Sequence, residues 1–254
     1  MNGTQKVADT REVKVKEQEQ IGFLFVHGAG LRGNVWRKVA EEIDAPFLLA
    51  DFPLRDGSEL DRKKLGLSQY VQSIKEQLGE WGTRRFIIVA HSIGGVLALK
   101  LCDELGDRVA GLAAVGAAIP RDGGSFLSAL PLGKRMMFSA ILTLAGTKPP
   151  EAAIRAGLCN DLAAEQSDQV VRGFLPEAVR LYKERCEAVS PKLPSLYVKL
   201  LNDREFPADL QDRMIAGLHE PLVAELNTGH LPMISDPNGV REALVRFRET
   251  IPAS

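Results

Sequence analysis

The segment Val89-Ala90-His91-Ser92-Ile93-Gly94-Gly95 stands between the most strand-like run of the chain, residues 86–90, and a helical pattern over 94–105. A strand-to-helix turn this tight forces its central residue into an unfavourable backbone conformation, so the positions two before and two after it must be small. Ala90 and Gly94 meet that requirement, with Gly95 next. Such a turn projects the Ser92 hydroxyl clear of a sheet, beside the backbone N–H groups and positive dipole of the following helix. The chemistry on offer is nucleophilic attack. A serine that merely caps a helix after a strand would look the same locally, so the reading depends on partners.

Three further segments supply them. His27-Gly28-Ala29-Gly30 ends an earlier apolar run. A turn there, beside the elbow of a parallel sheet, aims a backbone N–H at the same point, and Ala29 and Ile93 are the candidate pair of oxyanion donors. The spacing Gly28-x-Gly30-x-x-Gly33 with Asp51 downstream also fits a dinucleotide-binding fingerprint, which we read as a coincidence of a glycine-rich turn. Gly229-His230-Leu231-Pro232 follows the last strand-like run and carries the candidate general base. Of the four histidines, His27 lies in the oxyanion turn, His91 points away from Ser92 in an extended segment, and His219 sits in a polar stretch. Asp203 follows the penultimate strand-like run and is the candidate carboxylate partner of His230, ahead of Glu205. Asp122, just past the strand-like run that ends near Ala118, is the rival acid. Asp236 precedes Pro237 and is expected to start the closing helix.

The elements that must carry these residues follow from hydrophobic pattern. Short apolar runs over 21–26, 46–50, 86–90, 109–118, 195–201 and 222–226 read as strands, the central ones buried on both faces. Helical spacing fits 34–43, 68–81 with Ser68 as cap, 94–105 and 238–250. The alternation predicts an α/β fold with a mainly parallel sheet flanked by helices. It breaks after Pro120: residues 121–190 hold four helical patterns (132–145, 150–156, 161–171 and 176–189) and no strand. The expected organisation is a polar segment over 1–20 (an edge strand through Val13 and Val15, or a tail), a core over 21–120 and 191–254, and a helical cap over 121–190 packed on the sheet.

Composition narrows the function classes. Of 254 residues, 32 are Lys or Arg and 33 are Asp or Glu, so there is no basic field for nucleic acid. No apolar run reaches the roughly 18 residues a membrane span needs, and the first twenty residues lack the apolar core of a secretion signal. A cytoplasmic location without membrane contact is expected. Cys102, Cys159 and Cys186 are too few and too scattered for a disulfide framework or a zinc site. They suggest a monomer or a noncovalent homodimer.

The order Ser92, Asp203, His230 is that of the α/β-hydrolases. From about Ile21 to Thr250 the chain resembles that family, and within it the compact bacterial esterases and the plant methylesterase and hydroxynitrile lyase group. The likeness rests on Val26-His27-Gly28-Ala29-Gly30 with Trp36, on Ala90-His91-Ser92-Ile93-Gly94-Gly95, on Asp203 with Pro207 four residues on, and on Gly229-His230. The resemblance implies a serine hydrolase acting on small or medium carboxylic esters through an acyl-enzyme, without metal or organic cofactor. It places Gly28, Gly30, Met137, Phe138 and Leu231 at the substrate. A lyase or C–C hydrolase with the same triad, or a non-catalytic ligand receptor, are the alternatives. Hydroxynitrile lyases carry Lys where Leu231 stands and typically Thr where Gly28 stands, which argues against cyanohydrin chemistry. The loop Phe52-Pro53-Leu54-Arg55-Asp56-Gly57-Ser58 also departs from the family's usual Gly-x-Gly-x-Ser turn.

Overall fold

The computed structural model describes residues 20–121 and 123–252. Val13, Val15 and the rival acid Asp122 lie outside the described residues. Six strands, β1 (Gly22–Val26), β2 (Phe47–Ala50), β3 (Phe86–His91), β4 (Val109–Val115), β5 (Ser195–Leu200) and β6 (Leu222–Leu226), form one parallel sheet in the order β2-β1-β3-β4-β5-β6. Every residue of β1, β3 and β4 is buried, the cause of their unbroken apolar runs. Successive side chains feed opposite faces. Leu24 and Ile88 join Ile74 and Leu97 in one core, while Phe23, Phe25, Ile87 and Val89 join Trp36, Leu244 and Phe247 in the other.

Helices α1 (Arg37–Ala40), α2 (Glu59–Arg62), α3 (Leu67–Trp81) and α4 (Gly94–Leu105) connect the first four strands. Between β4 and β5 run α5 (Phe126–Ala129), α6 (Leu132–Leu144), α7 (Glu151–Ala156), α8 (Ala164–Gly173) and α9 (Val179–Lys183). The chain closes with α10 (Ala208–Ile215), α11 (Pro232–Ser235) and α12 (Pro237–Glu249). The inserted helices are joined to the core by ring contacts, with Phe126 tilted against Phe206 at 6.0 Å between centroids, and by a backbone bridge between Gly30 and Leu175. No helix among the described residues is long and apolar enough to cross a membrane.

Two local expectations are corrected. Ser68 is inside α3; the cap is Gly66, whose N–H donates to the Gln69 side chain at 2.7 Å. The helix expected over 176–189 shrinks to Val179–Lys183. Beyond it, the N–H groups of Cys186 and Glu187 bond to the carbonyls of Gly124 and Gly123 instead of continuing the helix. Asp236 does cap α12, accepting from the Gly239 N–H at 2.9 Å.

Candidate active site

Strand register brings the site together. Val26 pairs with Ala90, so the turn leaving β1 and the elbow leaving β3 emerge side by side. Leu200 pairs with Leu226, and the pairing continues through the Asn202 N–H to the Thr228 carbonyl at 3.0 Å, which holds the loops after β5 and β6 together.

Ser92 has φ of +53°, a conformation that costs a non-glycine residue energy and persists only where its surroundings enforce it. The surroundings are backbone. A Cβ on Gly94 would lie 2.8 Å from the His27 carbonyl oxygen, and one on Gly95 would lie 2.4 Å from that of Ala118. The Ser92 carbonyl accepts the Ala118 N–H at 2.8 Å. Gly28 packs beneath the elbow, where a Cβ would come within 2.7 Å of His91 Nδ1 and 3.0 Å of Ser92 Cβ.

His230 and Asp203 are both buried, with His230 Nδ1 2.7 Å from Asp203 Oδ2. Asp203 Oδ1 accepts the N–H groups of Glu205 at 2.8 Å and Phe206 at 2.9 Å, which fixes the carboxylate in one orientation. The His230 carbonyl accepts from His91 Nε2 at 2.8 Å, and the Phe206 ring meets the imidazole edge-on at 5.4 Å. Burial by itself lowers the proton affinity of His230. The charge and hydrogen bond of Asp203, helped by Glu205 and Asp161, outweigh it and raise the pKa above the ordinary histidine value. His91 lacks such a partner and is held well below that value by burial and by His230. His27 is lowered to about 3, chiefly by burial; its Nε2 accepts the Phe52 N–H, so its proton sits on Nδ1, bonded to the Gly28 carbonyl.

Ser92 and His230 open on one cavity of about 300 Å³, within the size range of small-ligand sites. Ala29, Ile93, Phe138 and Leu231 line it as well. The N–H groups of Ala29 and Ile93 find no acceptor among the described residues. Gly30 (φ +81°) faces the Phe174 ring and a neighbouring groove rather than this cavity. Gly28, beneath the elbow, and Met137 also lie off the cavity: Met137 is 58% exposed, because α6 turns it to solvent with Met136 and Leu144. The walls are instead apolar side chains such as Leu31, Phe126, Ile141, Leu142, Leu158 and Tyr182, with Glu205 and Thr147 among the few polar ones. His219 is exposed. Asp51, just past β2, accepts the Gly33 N–H at 2.7 Å, a bond between the segments that leave β1 and β2.

Sequence reasoning missed two groups. Asp161, between α7 and α8, accepts the N–H of Gly229 at 2.5 Å, next to His230. Glu177, Arg55 and Tyr70 form a buried cluster against the turn that follows β1. Neither has a local motif; both depend on contacts across more than 60 residues of chain.

An open parallel sheet with a strained serine at the end of a central strand, and an acid and a histidine at the ends of later ones, defines a class of folds. The chain belongs to the alpha/beta hydrolase family, whose profile matches residues 23–243. No curated protein matches the sequence. Among solved structures it is similar to an extracellular alpha/beta-hydrolase from a Paenibacillus species, described as sharing structural and functional homology with tobacco salicylic acid binding protein 2. The TM-score is 0.79 at 18% identity, covering 89% of this chain and 98% of that one. A pyrethroid hydrolase from Sphingobium faniae gives 0.74 at 21% identity, with 91% and 98% covered. A methylesterase from Arabidopsis gives 0.70 at 19% identity, with 89% and 98% covered. At these identities the likeness is one of fold.

Proposed function

We propose that this protein is a serine hydrolase that cleaves small or medium, uncharged carboxylic esters through an acyl-enzyme. The observation that carries the reading is the buried Asp203–His230 pair, at 2.7 Å, on the same cavity as the hydroxyl of the strained Ser92. In this reading Ser92 Oγ attacks the acyl carbonyl while His230 Nε2 takes its proton. Asp203 holds the Nδ1–H tautomer and stabilises the imidazolium. The N–H groups of Ala29 and Ile93 receive the oxyanion, each worth about 10²–10³ in rate. His230 then protonates the departing alcohol. A water, deprotonated by the same histidine, attacks the acyl-enzyme and releases the acid.

The apolar walls favour uncharged acyl groups, and the names of the structural neighbours, a methylesterase and a pyrethroid hydrolase, point the same way. The test is turnover of p-nitrophenyl acetate, butyrate and octanoate by the native protein and by Ser92→Ala. Turnover that disappears in the variant supports the reading. Equal, background-level release by both, with no labelling of Ser92 by a fluorophosphonate, overturns it.

A further inference from the structure

Glu177 belongs to the inserted segment between α8 and α9, yet its side chain reaches the oxyanion turn and is fully buried. Three donors converge on its carboxylate: Arg55 Nη2 at 2.5 Å and the Tyr70 hydroxyl at 3.0 Å on Oε2, and the Gly30 N–H at 3.3 Å on Oε1. The contacts continue outward. Arg55 donates to the carbonyls of Leu31 at 3.0 Å and Phe52 at 3.3 Å. The Tyr70 oxygen accepts the Ala178 N–H at 3.1 Å, and Thr147 Oγ1 donates to the Glu177 carbonyl at 2.6 Å. The Leu175 N–H donates to the Gly30 carbonyl at 3.0 Å. The inserted segment therefore grips both backbone groups of Gly30, while Arg55 holds the carbonyl of Leu31.

Gly30 follows Ala29. The peptide group that contains the Ala29 N–H is tied from its other side, because its carbonyl, that of Gly28, accepts from His27 Nδ1 at 2.7 Å. A trans peptide points its N–H opposite to its C=O. His27 thus sets the direction of the Ala29 N–H, and the Glu177 cluster fixes the next peptide, leaving the turn little freedom. A buried carboxylate–guanidinium pair is poor evidence for stability, since apolar side chains of similar volume often do as well. Its attested use is to specify one arrangement over its neighbours.

We propose that Glu177 is a positioning residue for the oxyanion turn: with Arg55 and Tyr70 it couples the docked inserted helices to the aim of the Ala29 N–H. This rests on the ester-hydrolase reading for its kinetic consequences, but not for its structural one.

The test compares the full-length native protein with Glu177→Gln and Tyr70→Phe. It reads kcat and KM on a p-nitrophenyl ester, Ki for a trifluoromethyl ketone of matching acyl group, and amide hydrogen exchange well below each Tm. Glu177→Gln is expected to lower kcat about tenfold, part of one oxyanion donor's worth, with KM changed by less than about threefold. Ketone Ki is expected to rise in proportion to the loss of kcat. Exchange at residues 28–31 is expected to accelerate about tenfold, with the interior of α4 unchanged, as local opening without global loss requires. Tyr70→Phe, which removes the hydrogen bonds to Glu177 and from the Ala178 N–H and leaves the ion pair, is expected to move all readouts the same way by less; it decides the matter if Glu177→Gln does not fold. A lower Tm with native kcat, ketone Ki and exchange at 28–31 overturns the proposal, as does a lower kcat without faster exchange there. If the native protein is inert toward esters and fluorophosphonate, the ester reading fails alone, and the exchange arm still decides the positioning role.

Discussion

Replacing Asp203 by Asn is the sharpest perturbation of this site, because the surroundings dictate which way the new amide faces. Asp203 Oδ1 accepts two backbone N–H groups, from Glu205 at 2.8 Å and Phe206 at 2.9 Å, while Oδ2 faces His230 Nδ1 at 2.7 Å. An Asn that kept its oxygen on the backbone pair would present its NH₂ to Nδ1. The flipped rotamer would confront two N–H donors with a third, leaving buried donors unpaired at about 1–3 kcal/mol each. The unflipped rotamer therefore wins by a few kcal/mol. With an NH₂ facing Nδ1, that nitrogen must accept, and the imidazole proton moves to Nε2, the atom assigned to take the serine proton. The expected loss is about 10³–10⁴ in kcat, the size that goes with a wrong tautomer in a serine triad, with KM within a few-fold.

Titration adds an independent check. Burial alone lowers the His230 pKa, and Asp203 is what turns the net shift upward. The base must be neutral to act, so native kcat/KM is expected to rise with pH through a pKa above the usual histidine value of about 6.5. In Asp203→Asn the charge is gone and burial remains, so the residual activity should show its acid limb at lower pH. Stopped-flow p-nitrophenol release at pH 5–9, with circular dichroism to confirm the fold, measures both. More than a tenth of native kcat in the variant, or an acid limb that moves to higher pH, would refute the reasoning.

Other substitutions and conditions follow from the same geometry. Gly95→Ala would set a methyl 2.4 Å from the Ala118 carbonyl oxygen, so a loss of about 1–3 kcal/mol is expected in urea unfolding, with reduced esterase activity because the elbow shifts. His27 (about 3) and His91 stay neutral in the folded state, whereas both titrate near 6.5 once unfolded. Their depressed pKa values make a contribution to stability that is present above about 6.5 and lost as pH falls. With unfolding taking up two protons, the cost is about 2–3 kcal/mol per pH unit between roughly pH 6 and 5. Urea midpoints that did not fall over that range would contradict the neutral assignments. Phe138→Ala opens the apolar wall and is expected to raise the octanoate-to-butyrate ratio of kcat/KM several-fold, and an unchanged ratio would place the acyl chain elsewhere.

What was legible in the sequence is what the backbone itself demands. β1, β3 and β4 are buried on both faces and so read as unbroken apolar runs. The elbow announces itself because Ala90, Gly94 and Gly95 face backbone carbonyls or core too closely for larger residues. Asp203 and His230 stand where strands end, which spacing reveals. The inserted helices were visible as periodicity but not as surfaces: Met137 is apolar and close in sequence to Phe138, yet only Phe138 meets the cavity. A 3.6-residue period states that a face exists, not which neighbour covers it. The end of α9 was illegible for a related reason, since the N–H groups of Cys186 and Glu187 just beyond it are claimed by the carbonyls of Gly124 and Gly123, some 60 residues away. Glu177 and Asp161 look like solvated charges in sequence; only docking puts one on the Gly30 N–H, in the turn after β1, and the other on Gly229.

The three buried histidines differ in what their ring nitrogens meet, and the proposed base is the one set apart. His27, His91 and His230 are equally removed from water, so desolvation pushes all three toward neutrality. His27 meets the Gly28 carbonyl and the Phe52 N–H, with Arg55 and Arg32 opposing its protonation. His91 donates to the His230 carbonyl, and its Nδ1 has no partner among the described residues. His27 Nε2 stands 3.7 Å from Asp51 Oδ1, beyond hydrogen-bond reach, whereas His230 Nδ1 meets Asp203 Oδ2 at 2.7 Å with the cavity beside it. In the proposed mechanism the histidine holds a transferred proton for the lifetime of a tetrahedral intermediate, which needs a site where the imidazolium is stabilised; the Asp203 charge and hydrogen bond that raise the His230 pKa would supply it. The neutral pair meanwhile act as fixed donors, His27 on the carbonyl of the Ala29 peptide and His91 on the carbonyl of His230 itself. Protonating His91 would place a cation with its ring 4.7 Å from that of His230 and oppose a charge there, and protonating His27 would set its Nε2–H against the Phe52 N–H it accepts. Keeping those two neutral and charging the third is thus one electrostatic arrangement, set by where the single carboxylate of Asp203 lies.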